Sequence, residues 1–204
     1  MTLRKPAVTS QPINPYTCQR WSPRSFSEKS VDDKTIVSLF EAARWSASCY
    51  NTQPWRYIIA SKNDPEAWKV AQNCTLDWNR RWTQSAPIIG FVLAEPTELP
   101  GGHKNKWHKF DTGMACAHLT IEAEAQGLSV HKFAGIDNDA VRKNYAIPQS
   151  IEIVCGIVIG YQGSVEALDE DLREREIEER TRDPLSKFVF KSKYGSPAPE
   201  VEGN

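Results

Sequence analysis

Apolar residues recur along this chain with two different periods, and the places where the period changes mark the elements. Between 31 and 45, Ile36, Leu39, Phe40 and Ala43 return at three- and four-residue intervals, the spacing of one helix face, with Asp32 or Asp33 placed to cap it. Four runs read instead as strands, at 56–61, 88–94, 128–133 and 151–159. The last, IEIVCGIVI, is too continuously apolar for an exposed strand and belongs inside a sheet. Helical spacing resumes over 112–126, where Met114, Ala117, Ile121 and Ala125 form one stripe and Gly127 stands where a left-handed C-cap is wanted. That pattern predicts a central buried helix. A shorter helix is expected after Asp137, ending before Pro148.

The ends of the chain are patterned differently. Pro6, Pro12 and Pro15 make 1–16 an extended arm. Segment 164–182 is dominated by Glu, Asp and Arg, with Val165, Leu168, Leu172 and Ile177 as a thin apolar stripe, and reads as a solvated helix or a mobile connection. The run 184–194, PLSKFVFKSKY, returns to strand-like composition and must pack on something; an apolar arm at a chain end often packs on a second subunit. Residues 195–204 read as a flexible tail. The elements together predict an α+β protein with a single domain over 17–194, and 204 residues with 40% apolar content suit one compact core.

Composition removes several classes of function. A net charge of −1 supplies no overall field to gather nucleic acid or an acidic membrane, so a charged ligand must be held locally. No eighteen apolar residues follow one another and the first residues lack a signal-peptide core, which predicts a soluble cytoplasmic protein with no membrane partner. Cys18, Cys49, Cys74, Cys116 and Cys155 form an odd set without a CxxC pair, so reduced thiols are expected rather than disulfides or structural zinc. His103, His108, His118 and His131 are scattered, and no metal site is expected. There is no GxSxG, and no GxGxxG follows a strand. The segment 103–110, HKNKWHKF, offers Trp107 for stacking a base or forms a mobile lid; the absence of basic surface elsewhere favours the lid.

Two features call for a ligand. Arg20 and Arg24 lie near one end and Arg180 and Arg182 near the other, so a fold that joins the ends would gather four arginines around a phosphate-like dianion; otherwise they are surface residues. The stretch 46–55, SASCYNTQPW, packs hydroxyls and amides before a core strand. Such neutral groups meet a heteroaromatic edge without adding a buried charge, or else satisfy their own backbone in a helix-terminating turn closed by Pro54 and Trp55.

The segment AARWSASCYNTQPWRYIIA resembles the FMN-dependent nitroreductases, whose helix ends in a serine-containing turn followed by Asn-x-Gln-Pro-Trp and a core strand. RWSPRSF at 20–26, DTG at 111–113 with Gly127 and Leu128, RTRDPLSKFV at 180–189, the Gly-Ile-Asp of HKFAGID, and DWNRRWTQSAP are similar to further family segments, in the expected order across about 16–190. The resemblance implies a central, mostly antiparallel sheet flanked by helices in an intertwined homodimer with exchanged C-terminal arms. It implies that Arg20, Ser22, Arg180 and Arg182 hold the FMN phosphate, with Trp21 contributing backbone and Arg24 lying near the flavin's pyrimidine side. Ser46, Ala47, Ser48, Asn51 and Gln53 would be lent to the flavin of the neighbouring subunit. Asn79 would meet the ring edge with Arg81 nearby, and Phe133, Ala134 and Gly135 would pass close to N5 and O4. Ala134 stands where some relatives carry glutamate, and Ile136 replaces a common phenylalanine.

The expected activity is ping-pong hydride transfer from NADH or NADPH through FMN to a nitroaromatic, quinone or other electron-poor small molecule, with no catalytic side chain of its own. Trp82, Trp107 and Phe110 are the aromatic candidates for gripping the acceptor. The same site would serve an FMN-dependent dehydrogenase or reductive dehalogenase, and a non-catalytic flavin-binding or redox-sensing module is the reading from a different class.

Overall fold

The computed structural model describes residues 3–203, so positions 1, 2 and 204 of the expected arm and tail fall outside the described residues. In chain order it contains α1 (Pro15–Gln19), α2 (Asp33–Arg44), β1 (Trp55–Ser61), α3 (Pro65–Asn73), α4 (Asp77–Thr83), β2 (Ile88–Ala94), β3 (Glu98–Leu99), β4 (His103–Lys104), α5 (His108–Ala125), β5 (Ser129–Phe133), α6 (Asn138–Asn144), β6 (Glu152–Gly160) and α7 (Glu170–Ile177). The main sheet runs β1-β2-β6-β5 with every pairing antiparallel. Among the described residues no helix is long and apolar enough to cross a membrane.

Period-two alternation divides the sheet's side chains between two cores. Ile88, Val92, Val130, Ile157 and Ile159 face α2 and α5, where Leu39, Ala43, Ala115, Leu119 and Ala123 meet them. Ile89, Phe91, Phe133 and Val158 face the other way, toward Ala71, Cys74, Trp82 and Val141 of the α3, α4 and α6 layer. β2 is buried along its whole length. Between Val92 and Leu93 the register with β6 shifts by a bulge that leaves Val154 exposed.

Several boundaries and faces differ from the sequence expectation. The arm ends at Asn14, whose side chain accepts from Tyr16 N while Pro15 opens α1, a position where its missing N–H costs nothing. Asp32, rather than Asp33, caps α2 by accepting from Thr35 N at 2.9 Å. α5 begins a turn early, and its buried face is Asp111, Thr112, Ala115, Cys116, Leu119, Thr120 and Ala123. Ala117 and Ala125 are exposed and Met114 and Ile121 half-buried, because the helix is apolar on two faces and periodicity alone cannot say which one the sheet takes.

The segment 103–110 is no free lid. Asn105 is buried, and His108 bonds to Asn105 O at 2.7 Å and to Glu152 Oε1 at 2.8 Å. The strand-like run 184–194 joins no strand of the main sheet; it forms a 3-10 turn at Leu185–Lys187 and a single bridge from Phe190 to Pro197, with Phe188 and Tyr194 exposed.

The acidic segment is a helix docked by its thin apolar stripe with most of its other residues in solvent, and no mobile connection. Val165, Leu168 and Leu172 are buried as the stripe implied, Ile177 is exposed, and Glu176 is fully buried in its place. All three guanidinium nitrogens of Arg81 bond to Asp169 and Asp171, tying α7 to α4. Arg81, expected near the ring edge beside Asn79, is thereby committed to these two carboxylates. Leu172→Ala should therefore lower the unfolding free energy by about 2–5 kcal/mol in urea denaturation; a loss below about 1 kcal/mol would mean that α7 does not pack on the core.

His131 pins the loop after α1 to the sheet. Its Nδ1–H donates to Pro23 O at 2.8 Å and its ring stacks on Trp82 at 4.4 Å. Burial pushes its pKa down to about 4, against the Pro23 carbonyl and with help from Arg24, Lys132 and Arg20. The unfolded chain then binds the extra proton first, so stability is fully present above about pH 6.5 and is lost as pH falls toward 4, at up to about 1.4 kcal/mol per pH unit from this one group. Urea midpoints measured from pH 7 to 4 should show that slope, and His131→Phe should flatten it.

Candidate functional site

The site begins where α1 ends. At Arg20 the backbone leaves the helix in an extended conformation, and Arg20, Trp21, Ser22 and Arg24 border one cleft. At the far end of the chain α7 stops at Ile177 and Glu178 turns extended, leading into Arg180 and Arg182. The two segments meet. Lys5, Arg20, Ser22, Arg24, Arg175, Arg180 and Arg182, with Glu178 and Glu179, line a cleft of about 230 Å³. Trp21 also borders the cleft and is largely buried, with the Lys5 ammonium 4.8 Å over its ring.

What aligns the two segments is Glu176. Its carboxylate accepts from the backbone N–H of Arg24 at 2.9 and 3.0 Å and of Ser25 at 3.1 Å, with the Arg24 guanidinium at 3.8 Å. Burial raises its pKa against these bonds and the nearby cations. Arg180 donates to the carbonyls of Lys5 and Cys18, and Lys5 to those of Glu176 and Glu178, which stitches the N-terminal arm over the C-terminal segment. Arg20 Nη1 bonds Ser22 Oγ at 3.2 Å.

Burial and mutual repulsion with Arg180 and Arg182 lower the Arg20 pKa, and burial with Arg182 does the same to Arg180. Positive charge held together at such a cost is relieved by an anion with several acceptor oxygens, and a phosphate fits that donor set. The sequence-based assembly of Arg20, Ser22, Arg24, Arg180 and Arg182 is thus what the fold produces.

Along β5 the chain reaches a second cluster. Asn79 Nδ2 donates to Gly135 O at 3.4 Å, and its Oδ1 accepts from Trp82 Nε1 at 3.2 Å. A Cβ at position 135 would overlap the Asn79 side chain, so the glycine permits this approach. Phe133 is buried against Trp82 and Gly156, leaving its backbone, exposed Ala134 and half-buried Gly135 to face a ligand. Trp82 is only 1% exposed and cannot grip an acceptor, a correction to the sequence reading; Trp107 and Phe110, at 53% and 66%, remain accessible.

The SASCYNTQPW turn follows α2 and holds Tyr50, Asn51 and Gln53 at φ of 51°, 55° and 48°, left-handed values that cost non-glycine residues about 1–3 kcal/mol each. The surroundings impose them. Asp111, buried in the first turn of α5, accepts from Cys49 N at 3.1 Å and from Asn105 Nδ2 at 3.2 Å, and Asn105 also reaches Thr52 Oγ1 at 3.0 Å. Ser48 Oγ accepts from Gln53 N at 3.0 Å. The supporting roles of Asp111 and Asn105 were not visible in the sequence, since neither lies within the turn.

Ser46, Ala47, Ser48, Asn51 and Gln53 do not line the arginine cleft. The turn is fixed to Asp111 at the start of α5, whereas the carboxylate that senses Arg20 and Arg180 is Glu124 near its end. Thirteen residues of helix place these two points roughly 20 Å apart.

One further residue escaped sequence reasoning. Lys132 on β5 directs its ammonium to Thr120 Oγ1 at 2.7 Å, and among the described residues no carboxylate lies within ion-pair distance of it. A lone lysine in a strand carries no sequence signal for this.

Comparison with known proteins fits this geometry. The family model described as Nitroreductase family matches residues 18–161. A crystal structure of an oxidoreductase containing FMN superposes with a TM-score of 0.88 at 30% identity, covering 96% of this chain and 100% of that one. A Streptomyces coelicolor protein named as an NADH dehydrogenase/NAD(P)H nitroreductase is 23% identical over 165 residues, 71% of this chain and 80% of its own. A 15.4 kDa protein of Mycolicibacterium smegmatis is 32% identical over 87 residues, which span 43% of this chain and 58% of that protein. Matched to the family model over most of its length and to a solved relative over nearly all of it, the chain belongs to the nitroreductase family.

Proposed function

We propose that this protein is an FMN-dependent oxidoreductase that works as a homodimer, and the observation that carries the reading is the cationic cleft built from both ends of the chain. Its donor set suits a mononucleotide phosphate, with Arg20, Ser22, Arg180 and Arg182 as the binding groups and Trp21 contributing backbone. From that anchor a ring would extend to Asn79 and to the backbone of Phe133, Ala134 and Gly135. Bound there, FMN would supply hydride chemistry, taking two electrons from NADH or NADPH and delivering them, after the nicotinamide has left, to a nitroaromatic, quinone or similar acceptor.

The protein's part is positioning, electrostatics and exclusion of water, and no acid or base side chain is assigned. Trp107 and Phe110 are the accessible aromatics for holding an acceptor.

Two features support the dimer. The strained turn and the arginine cleft lie at opposite ends of α5, so a second copy is needed if Ser46, Ala47, Ser48, Asn51 and Gln53 are to frame the ring. In addition, α5 presents Phe110, Gly113, Met114, Ala117 and Ile121 on a face that its own chain leaves open, with small residues where two helices could approach closely. The exposed Phe188 and Tyr194 suit an arm that embraces the same partner.

Replacing Arg20 and Arg182 together with alanine should weaken FMN binding by about 10²–10⁴-fold, the loss of two charge-assisted contacts of about 1.5–3 kcal/mol each; unchanged flavin content in the purified variant would remove the phosphate assignment. Ala117→Glu, by placing a charge on the open face of α5, should give a monomer in sedimentation that retains little flavin. A yellow dimer from that variant would refute the shared site. Anaerobic addition of NADH and of NADPH should bleach the wild-type flavin; persistence of the oxidised spectrum with both would instead favour a binding module.

A further inference from the structure

We propose that Arg175 is a further binding group for the flavin phosphate, held at the cleft on the ring of Trp78. This rests on the FMN reading above and adds to it a residue of α7 that neither arginine pair includes. Arg175 lines the cleft together with Arg20, Arg24, Arg180 and Arg182. Those four are already engaged by the protein. Arg24 lies 3.8 Å from the Glu176 carboxylate, Arg180 donates to the carbonyls of Lys5 and Cys18, Arg182 to Thr181 O at 2.6 Å, and Arg20 to Ser22 Oγ at 3.2 Å. Among the described residues Arg175 has no carboxylate within ion-pair distance and no hydrogen-bond acceptor; its one polar contact is with an aromatic ring.

The helix itself explains why this guanidinium is unpaired. Asp171 stands four residues before Arg175 in α7, the spacing at which an acid and a base on one helix face pair. Both Asp171 oxygens are taken by Arg81 instead, at 2.6 and 2.9 Å, and Asp169 completes the grip on Arg81 at 2.7 Å. The bridge from α7 to α4 has displaced the one within α7. What Arg175 keeps is Trp78 of α4, whose ring centroid lies 5.1 Å from its guanidinium carbon and 5.1 Å from that of Arg81. The ring attracts the guanidinium through its charge, so the N–H donors stay available for an acceptor.

The acceptor that suits them is a phosphate ester. Glu178 and Glu179 border the same cleft, yet neither pairs with Arg175. A planar fork of donors with no carboxylate to fill it matches an oxyanion that presents several oxygens at once. Arg175 also stands in the last turn of α7, where a cation favours the helix whatever the cleft holds. Only ligands that differ by their phosphate separate the two contributions.

FMN and riboflavin are such a pair. In the flavin-free full-length protein, titrated with each by quenching of flavin fluorescence, Arg175→Gln should weaken FMN about ten- to hundredfold, the value of one charge-assisted contact, and riboflavin less than about twofold. Arg175→Lys should recover part of the loss, since it keeps the charge without the fork. Trp78→Leu should weaken FMN about two- to fivefold and leave riboflavin unchanged.

Unchanged FMN affinity in Arg175→Gln would overturn the proposal. So would an equal loss for both flavins, which would make Arg175 a structural residue of α7. If riboflavin binds too weakly to titrate, the flavin-free melting temperature decides: lost FMN affinity with an unaltered melting temperature supports the contact, and a lowered one overturns it. A Trp78→Leu loss shared by riboflavin would remove the platform. A wild-type protein that takes up neither flavin would instead overturn the FMN reading on which this assignment stands.

Discussion

One buried carboxylate organises the ends of this chain. Glu176 is fully buried, yet it receives N–H groups from Arg24 and Ser25, more than 150 residues away in sequence. Those bonds fix the segment after α1 against the one after α7, and that alignment gathers five arginines from the two ends of the chain into one cleft. The carboxylate also limits the repulsion that gathering so many cations creates. Replacing it with an apolar side chain would strand two buried N–H donors as well as the charge of Arg24.

At the other end of α5 the same logic operates with different groups. Asp111 and Asn105 are buried polar residues whose hydrogen bonds hold Tyr50, Asn51 and Gln53 in left-handed backbone. Strain of that kind persists only where neighbouring bonds over-determine it, and it concentrates where a backbone must present polar groups in a fixed direction. A long helix therefore separates two rigid polar devices, one cationic and one neutral. The open apolar face of α5 lies between them, and the proposed dimer reconciles the distance with a shared ligand.

Between the devices runs β5, whose alternation assigns opposite tasks to adjacent residues. His131 and Phe133 lock the strand to Trp82, while Lys132 projects to the other face and finds one hydroxyl. A neutral, half-buried histidine and a poorly compensated lysine sit side by side in sequence with their side chains on opposite faces of the pleat. The functional character of the edge is set by geometry that residue identity alone does not express.

The sequence by itself determined the elements that rest on short-range physics. The four main strands, a cap at Asp32 or its neighbour Asp33, and the helix after Asp137 follow from periodicity and side-chain hydrogen bonding within a few residues. The arginine pairs and the SASCYNTQPW turn stood out by residue type, but it was the resemblance to the nitroreductases that pointed them toward a ligand rather than a solvated surface and a self-satisfied turn. The tertiary structure alone decided which face of α5 is buried, because Met114, Ala117 and Ile121 are as apolar as the face that packs on the sheet. It alone placed Glu176 inside, withdrew Trp82 into the core, committed Arg81 to Asp169 and Asp171, and left Lys132 without a carboxylate. Each of those outcomes depends on partners distant in sequence, and the energy of a buried charge or ring is set by what surrounds it in space, which no local pattern encodes.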